Sequence, residues 1–269
     1  MKISISNILW PKGFDRLEEF FNELYRQNIV GVELALNCFW TEPVEASKND
    51  ILLLKNLLKR YHLKLVSIHS LTFSRPDLEL FCSSAKLIAL EDYLFRYFDL
   101  ARQLDCSNLV FGSPKSRNTY GMSKQNMDEI FLKFLTKINN CSEGIFFNIE
   151  PLSTRYCSYL NRFMECVELL ENQDLKWIGI QLDIRSIIES KEDIKQILRQ
   201  QNYIHHAHAG NPGMEVLGGI YEKEHRFIAS ALRKAKYSDY LTAEILNIEG
   251  LQEKIFLSEV IDIMREYYE

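Results

Sequence analysis

Eight times over, a short apolar run with strand character is followed by a stretch of helical periodicity, and few architectures accommodate that alternation. The strand candidates are Lys2–Ile8, Val30–Leu36, Leu65–Leu71, Asn108–Ser113, Ile145–Glu150, Ile178–Asp183, Ile204–His208 and Leu241–Leu246. Between them, Leu17, Phe20, Phe21 and Leu24 recur at i, i+3, i+4 and i+7, the stripe of a helix lying on a sheet. Ile51, Leu54 and Leu58 repeat the pattern. Leu78–Leu104 contains no Gly or Pro and predicts the longest helix, with Pro76 near its first turn. Ser190 and Asp193 have the spacing of a capping box for a helix through Leu198, and a last helix is predicted from Gly250 to Tyr267.

This order predicts an α/β protein, a (β/α)8 TIM barrel built as a single domain over residues 1–269. A doubly wound open sheet is the competing arrangement, but no GxGxxG follows the first strand and the units are evenly spaced. With 46% hydrophobic and 26% charged residues the chain can bury a large core. A net charge of -5 without a Lys/Arg-rich stretch argues against a nucleic-acid partner, and no apolar run reaches the length of a membrane span. The start MKISISNILW enters a strand pattern at once, without the apolar core and cleavage site of a signal peptide, so a cytoplasmic location is expected. The six cysteines have neither CxxC pairs nor zinc-ribbon spacing and read as reduced thiols; Cys157 reads as a pocket lining.

Four residues with metal-ligating side chains fall at the ends of consecutive strand candidates. They are Glu150 in GIFFNIEP, Asp183 in WIGIQLDI, His208 in YIHHAHAG and Glu244 in YLTAEIL, separated by 33, 25 and 36 residues. In a barrel, strand carboxyl ends form the mouth where active sites are built. Three carboxylates and one imidazole make an oxygen-rich set suited to a divalent ion. The residues two earlier, Asn148, Gln181, His206 and Thr242, share the strand face and are all polar. Side chains of that kind orient metal ligands, whereas a packing interior would carry Val, Ile or Leu. The plainer reading is a buried hydrogen-bonded network without an ion.

Other residues are placed near the mouth by the same reasoning. His69 and Glu33 could meet substrate, the alternatives being a turn cap and an internal salt bridge. Lys115 and Arg117 in GSPKSR could hold an anionic substrate group, or be solvated loop cations. His206 is counted with the substrate-binding candidates as well. Strand alternation turns His205 away from the interior, and His225 reads as a surface residue of a helix. Trp10, Phe39 and Trp40 follow strands one and two, where aromatics could wall a substrate pocket, the alternative being core or rim packing.

These segments resemble the xylose isomerase-like barrels, a superfamily of sugar isomerases, epimerases and AP endonuclease-type enzymes. KISISNILW, VGVELAL and KLVSIHSL look like the family's first three strands. NIEPL, QLDI, HAHAG and TAEIL look like its four metal-binding strands, and the resemblance covers nearly the whole chain. It implies Glu150, Asp183, His208 and Glu244 as ligands to Mn2+ or Mg2+, with Zn2+, Co2+ or Fe2+ in some relatives. Many relatives form dimers or tetramers, which leaves a homo-oligomer open. Several ketose epimerases of the group carry a His three residues after the strand-six Asp; here that position is Ser186. Their Glu after the strand-five EPL and Arg after the strand-seven His are also missing from STRYCS and AGNPGMEVLGG.

The reaction expected from these residues is metal-dependent isomerisation or epimerisation of a small sugar, sugar phosphate or polyol. An ion would polarise a carbonyl and its neighbouring hydroxyl, and Glu150 and Glu244 would exchange a proton through an enediolate. Three alternatives differ in chemistry. A dehydratase or lyase would act on a cyclitol or keto-acid, an AP endonuclease-type phosphodiesterase would need a histidine-rich three-zinc cluster, and a non-catalytic barrel would only bind sugar.

Overall fold

Ser4 lies beside Thr242 and Ser6 beside Glu33, so the first strand joins the last on one side and the second on the other. The computed structural model describes residues 1–247 and 250–269. Strands β1 (Lys2–Ser6), β2 (Gly31–Leu34), β3 (Lys64–Ile68), β4 (Asn108–Phe111), β5 (Phe146–Ile149), β6 (Ile178–Asp183), β7 (Ile204–Ala209) and β8 (Tyr240–Ala243) are all parallel. They close in sequence order into a barrel, the predicted (β/α)8 architecture. No helix among the described residues is long and apolar enough to cross a membrane.

The helices around it are α1 (Phe14–Arg26), α2 (Lys48–Arg60), α3 (Ser84–Gln103), α4 (Lys124–Cys141), α5 (Phe163–Leu170), α6 (Ile184–Ser190), α7 (Ile194–Leu198), α8 (Glu222–Lys234) and α9 (Glu253–Tyr268). The expected stripes are buried: Leu17, Phe20, Phe21 and Leu24 of α1, and Ile51, Leu54 and Leu58 of α2. Ser47 and Asp50 form a capping box that starts α2.

Helix boundaries differ from the sequence reading where capping overrides composition. The run from Leu78 does not start a helix; Ser83 caps α3 by accepting from the Lys86 N–H, which leaves Pro76 well upstream in turns. Leu78, Leu80 and Phe81 are buried all the same, in a loop fastened by the Leu80 N–H to the Ser116 carbonyl at 2.8 Å. Ser190 closes α6 instead of opening a helix. Lys191 then turns left-handed (φ 54°), and Asp193 alone caps α7 through the Lys195 N–H. Helix α9 begins at Glu253, three residues later than Gly250.

Strand β7 holds one extra residue against β6, because Ile180 pairs with Ile204 but Leu182 with Ala207. Alternation therefore does not carry across His205, and its ring stacks on Phe146 at 3.5 Å and 12°. Phe146 shares a strand face with Asn148, so the outward orientation expected of His205 is overturned by the bulge. His225 is likewise not a surface residue. It is fully buried on α8, where Nδ1 meets the Tyr268 hydroxyl at 2.6 Å and Nε2 meets Asn211 Oδ1 at 2.8 Å.

The barrel interior is polar where most such barrels carry branched aliphatics. Ser4, Ser6, Glu33, Ser67, Gln181, His206 and Thr242 are buried there in adjoining register positions, directly under the mouth. That polar column positions the site.

Candidate active site

Strand β7 ends in His208, and its imidazole links two sets of carboxylates. Nε2 lies 2.9 Å from Glu33 Oε2, on the inner side. Nδ1 lies 3.4 Å from Glu150 Oε1 and 3.3 Å from Glu244 Oε2, on the side of the mouth. With Glu33 ionised, Nε2 carries the proton it donates and the ring orientation is fixed. Gln181 adds to this when its carbonyl faces His208 Nε2 at 3.2 Å and its amide donates to the His206 carbonyl at 3.3 Å.

Glu33 is fully buried beneath the mouth and accepts from Ser67 Oγ at 2.5 Å and from His206 at 3.0 Å. Burial opposes its charge, but His208, His69 and His206 outweigh that and hold it well below the usual carboxylate range. His206 responds oppositely: burial lowers its pKa despite Glu33, and Thr242 Oγ1 and Ser67 Oγ crowd its Nε2 at 3.1 and 2.9 Å. His69, just after β3, reaches Glu244 Oε1 with Nδ1 at 3.2 Å and Ser6 Oγ with Nε2 at 2.8 Å. Burial resists the protonation of His69 and His208, yet the surrounding glutamates raise both, His208 strongly.

Glu150 and Glu244 enter the mouth from β5 and β8, each the first residue past its strand. Backbone contacts set both. The Glu150 N–H donates to the Phe111 carbonyl at 3.2 Å and the Glu244 N–H to the Ala209 carbonyl at 3.0 Å. Glycine makes the approach possible: a Cβ on Gly112 would collide with Glu150 Oε2, and one on Gly210 would sit 2.8 Å from the Glu244 carbonyl oxygen. The two carboxyls are driven apart in acidity. Burial, with Glu244 and Asp183 adding to it, raises Glu150; burial is outweighed at Glu244 by His208, Arg185 and His69, which lower it.

Asp183 pairs in register with His208, but its carboxylate turns to its own helix. Oδ1 caps the Arg185 N–H at 2.9 Å, while Oδ2 takes Arg185 Nη2 at 2.7 Å, Arg185 Nε at 3.2 Å and Ser186 Oγ at 3.0 Å. Arg185 is buried, and the same Nη2 lies 3.5 Å from Glu150 Oε1 and 3.4 Å from Glu244 Oε2.

The donor atoms of Glu150, His208 and Glu244 lie within 4.8 Å of one another and could hold a metal ion; so could those of Glu33, His206 and His208. Glu244 Oε2 is buried without a hydrogen-bond partner among the described residues, which suits the first group. The chemistry of that set fits a divalent ion on three of the four expected ligands, and Asp183 is committed to Arg185.

The remaining expected residues lie farther out or serve the frame. Lys115 is exposed, whereas Arg117 is among the most buried large side chains and donates through Nη2 to the Glu150 carbonyl at 2.9 Å. Asn148 Nδ2 reaches Asn108 Oδ1 at 3.3 Å and the Leu109 carbonyl at 3.4 Å, at β4. Trp10 is a core residue against Phe20, and Phe39 and Trp40 pack half-buried around Phe14. Cys157 is buried with its thiol toward the Tyr159 carbonyl. Sequence reading missed Arg185 and the serines. Arg185 had a signal, since a cation in the first turn of a helix opposes the helix dipole and needs carboxylates nearby.

A closed parallel barrel with carboxylates and imidazoles gathered at the strand carboxyl ends defines a TIM barrel with a candidate site at its mouth. The chain belongs to the xylose isomerase-like TIM barrel family, whose model matches residues 24–266. No curated protein matches it in sequence. Among solved structures it is similar to D-psicose 3-epimerase from Clostridium cellulolyticum with D-tagatose, at 16% identity and TM-score 0.82 over 100% of both chains. It is also similar to the 3-keto-D-glucoside 4-epimerase YcjR of E. coli, at 15% identity and TM-score 0.78 over 99% of both chains. The IOLI protein with a bound zinc atom aligns with TM-score 0.80 and 14% identity, over 100% of this chain and 98% of its own.

Proposed function

We propose that the protein is a sugar isomerase or epimerase that moves a proton on the carbon beside a carbonyl, with Glu150 and Glu244 as its acid/base pair. The observation that carries this is their placement. Two glutamates from β5 and β8 approach the same face of His208, 3.4 and 3.3 Å from Nδ1, at the mouth of the barrel. Their opposed pKa shifts, Glu150 raised by burial and Glu244 lowered because His208 and Arg185 outweigh burial, agree with a division of labour between acid and base. Glu244 takes the proton from the substrate carbon, the C–H electron pair passes into an enediolate, and Glu150 returns a proton. Delivery to the opposite face inverts that carbon; delivery to the former carbonyl carbon, with the neighbouring hydroxyl proton passing to the old carbonyl oxygen, moves the carbonyl.

Glu150, His208 and Glu244 would hold a divalent ion, with Asp183 as a fourth ligand once freed from Arg185. An oxygen-rich set favours Mn2+ or Mg2+, and such an ion supplies Lewis-acid polarisation of the carbonyl when bound. Glu33 keeps His208 Nδ1 facing the mouth, and His69 keeps Glu244 aimed. The similar structures include epimerases of D-psicose and 3-keto-D-glucosides, which makes ketoses the first substrates to test. Incubation with D-psicose, D-tagatose and L-ribulose in heavy water should place deuterium beside the carbonyl of an intact sugar. Loss of water would identify a dehydratase, and full turnover by Glu150→Gln would remove Glu150 from the proton transfer.

A further inference from the structure

Arg185 lies where the carboxylates of the mouth converge. One nitrogen, Nη2, faces Asp183 at 2.7 Å, Glu244 at 3.4 Å and Glu150 at 3.5 Å, so three of the four residues proposed as ligands already share a cation. The hold is specific as well as electrostatic. Asp183 receives Nε and Nη2 through Oδ2 and the Arg185 backbone N–H through Oδ1, and Ser186 Oγ donates to the same carboxylate. The guanidinium is buried on a scaffold that keeps it there, the first turn of α6. A planar, permanently charged group fits this task better than an ammonium.

We infer that Arg185 is an intrinsic competitor for the divalent ion, so that ion binding and guanidinium docking exclude each other. The inference rests on the metal-assisted reading above. Two cations cannot share Glu150 and Glu244 in a buried site without strong repulsion, and Asp183 Oδ2 is occupied by the Arg185 guanidinium and Ser186 while Arg185 holds it. Ion binding therefore requires Arg185 to leave Asp183. In the guanidinium-docked state Arg185 offsets part of the charge of the acid cluster from within.

The test is direct binding of Mn2+ by equilibrium dialysis or by its paramagnetic resonance signal. Arg185→Met should bind the ion about ten- to hundredfold more tightly than the unaltered protein, the usual range for coupling between two binding events. Methylguanidinium added to Arg185→Ala should compete with Mn2+ and should have no effect on the unaltered protein. If Arg185→Met does not fold, Arg185→Lys serves, since its compact ammonium cannot make the forked contact and should give an intermediate gain. Equal or weaker Mn2+ binding by the variants overturns the inference. Binding by neither protein also overturns it but leaves the glutamate pair in place, because Glu150→Gln tests that pair on turnover alone.

Discussion

Glu33 Oε2 and His208 Nε2 are 2.9 Å apart, and this buried contact decides which imidazole nitrogen faces the mouth. The carboxylate comes from β2 and the imidazole from β7, across the barrel interior. A glutamate that sequence alone offers as a substrate contact is thus positioned to set the tautomer and tilt of the histidine proposed as a metal ligand. Ser67, fixed to the same oxygen, holds the carboxylate in turn.

Glu33→Gln should consequently weaken Mn2+ binding and turnover together, each by about 10–100-fold, the usual cost of removing a partner that orients a metal-ligating histidine. The amide keeps the shape but loses the charge that favours a proton on Nε2. Titration with Mn2+ alongside an epimerase assay checks this, and an unchanged ion affinity would separate Glu33 from the site.

Gly112→Ala should disturb Glu150 without touching any ionisable group. The added methyl collides with Glu150 Oε2, so either the carboxylate turns or β4 shifts. The expected cost is about 1–3 kcal/mol of stability from overpacking. Turnover should fall by more than that destabilisation explains, since the carboxylate would leave His208. Thermal melting and steady-state rates on the same preparation separate the two effects.

His225 gives the fold an acid limit separate from the carboxylate cluster. Burial lowers its pKa from 6.5 to about 4, and its contacts suit a neutral ring: Nε2 donates to Asn211 and Nδ1 accepts from Tyr268. The unfolded chain binds the proton first as pH falls, so the stabilisation is complete above about pH 6.5. It is lost progressively down to about pH 4. Between pH 7.5 and 5 this group should account for about 2 kcal/mol of lost stability. Urea unfolding at both pH values, compared with His225→Gln, should show a shallower loss in the variant. An identical slope would place the acid sensitivity elsewhere. Asn211 also donates to the Val216 and Gly218 carbonyls, so the β7–α8 loop should loosen along with His225.

Much of the barrel was legible because strands and amphipathic helices leave local periodicities. Leu17, Phe20, Phe21 and Leu24 bury the stripe their spacing predicts. Glu150, His208 and Glu244 were recognisable as a set from their places at successive strand ends, and their side chains do meet. The start of α3 was not legible, because Leu78, Leu80 and Phe81 are apolar for a buried loop and not for a helix. Nor was the orientation of His205, because a bulge is a mismatch between two strands and leaves no mark on either one alone.

The sequence by itself determined the alternation of strands and helices, and with it the family, the mouth and the carboxylates lining it. Only the tertiary structure decided that Asp183 is held by Arg185, that Glu33 lies under His208, and that Arg117 is buried behind Glu150. Periodicity is a property of neighbours along the chain, whereas these partnerships depend on distances and charges across the barrel. A carboxylate's role is set by the cation it faces, and in this barrel one of those cations is an arginine only two residues away from the aspartate it holds.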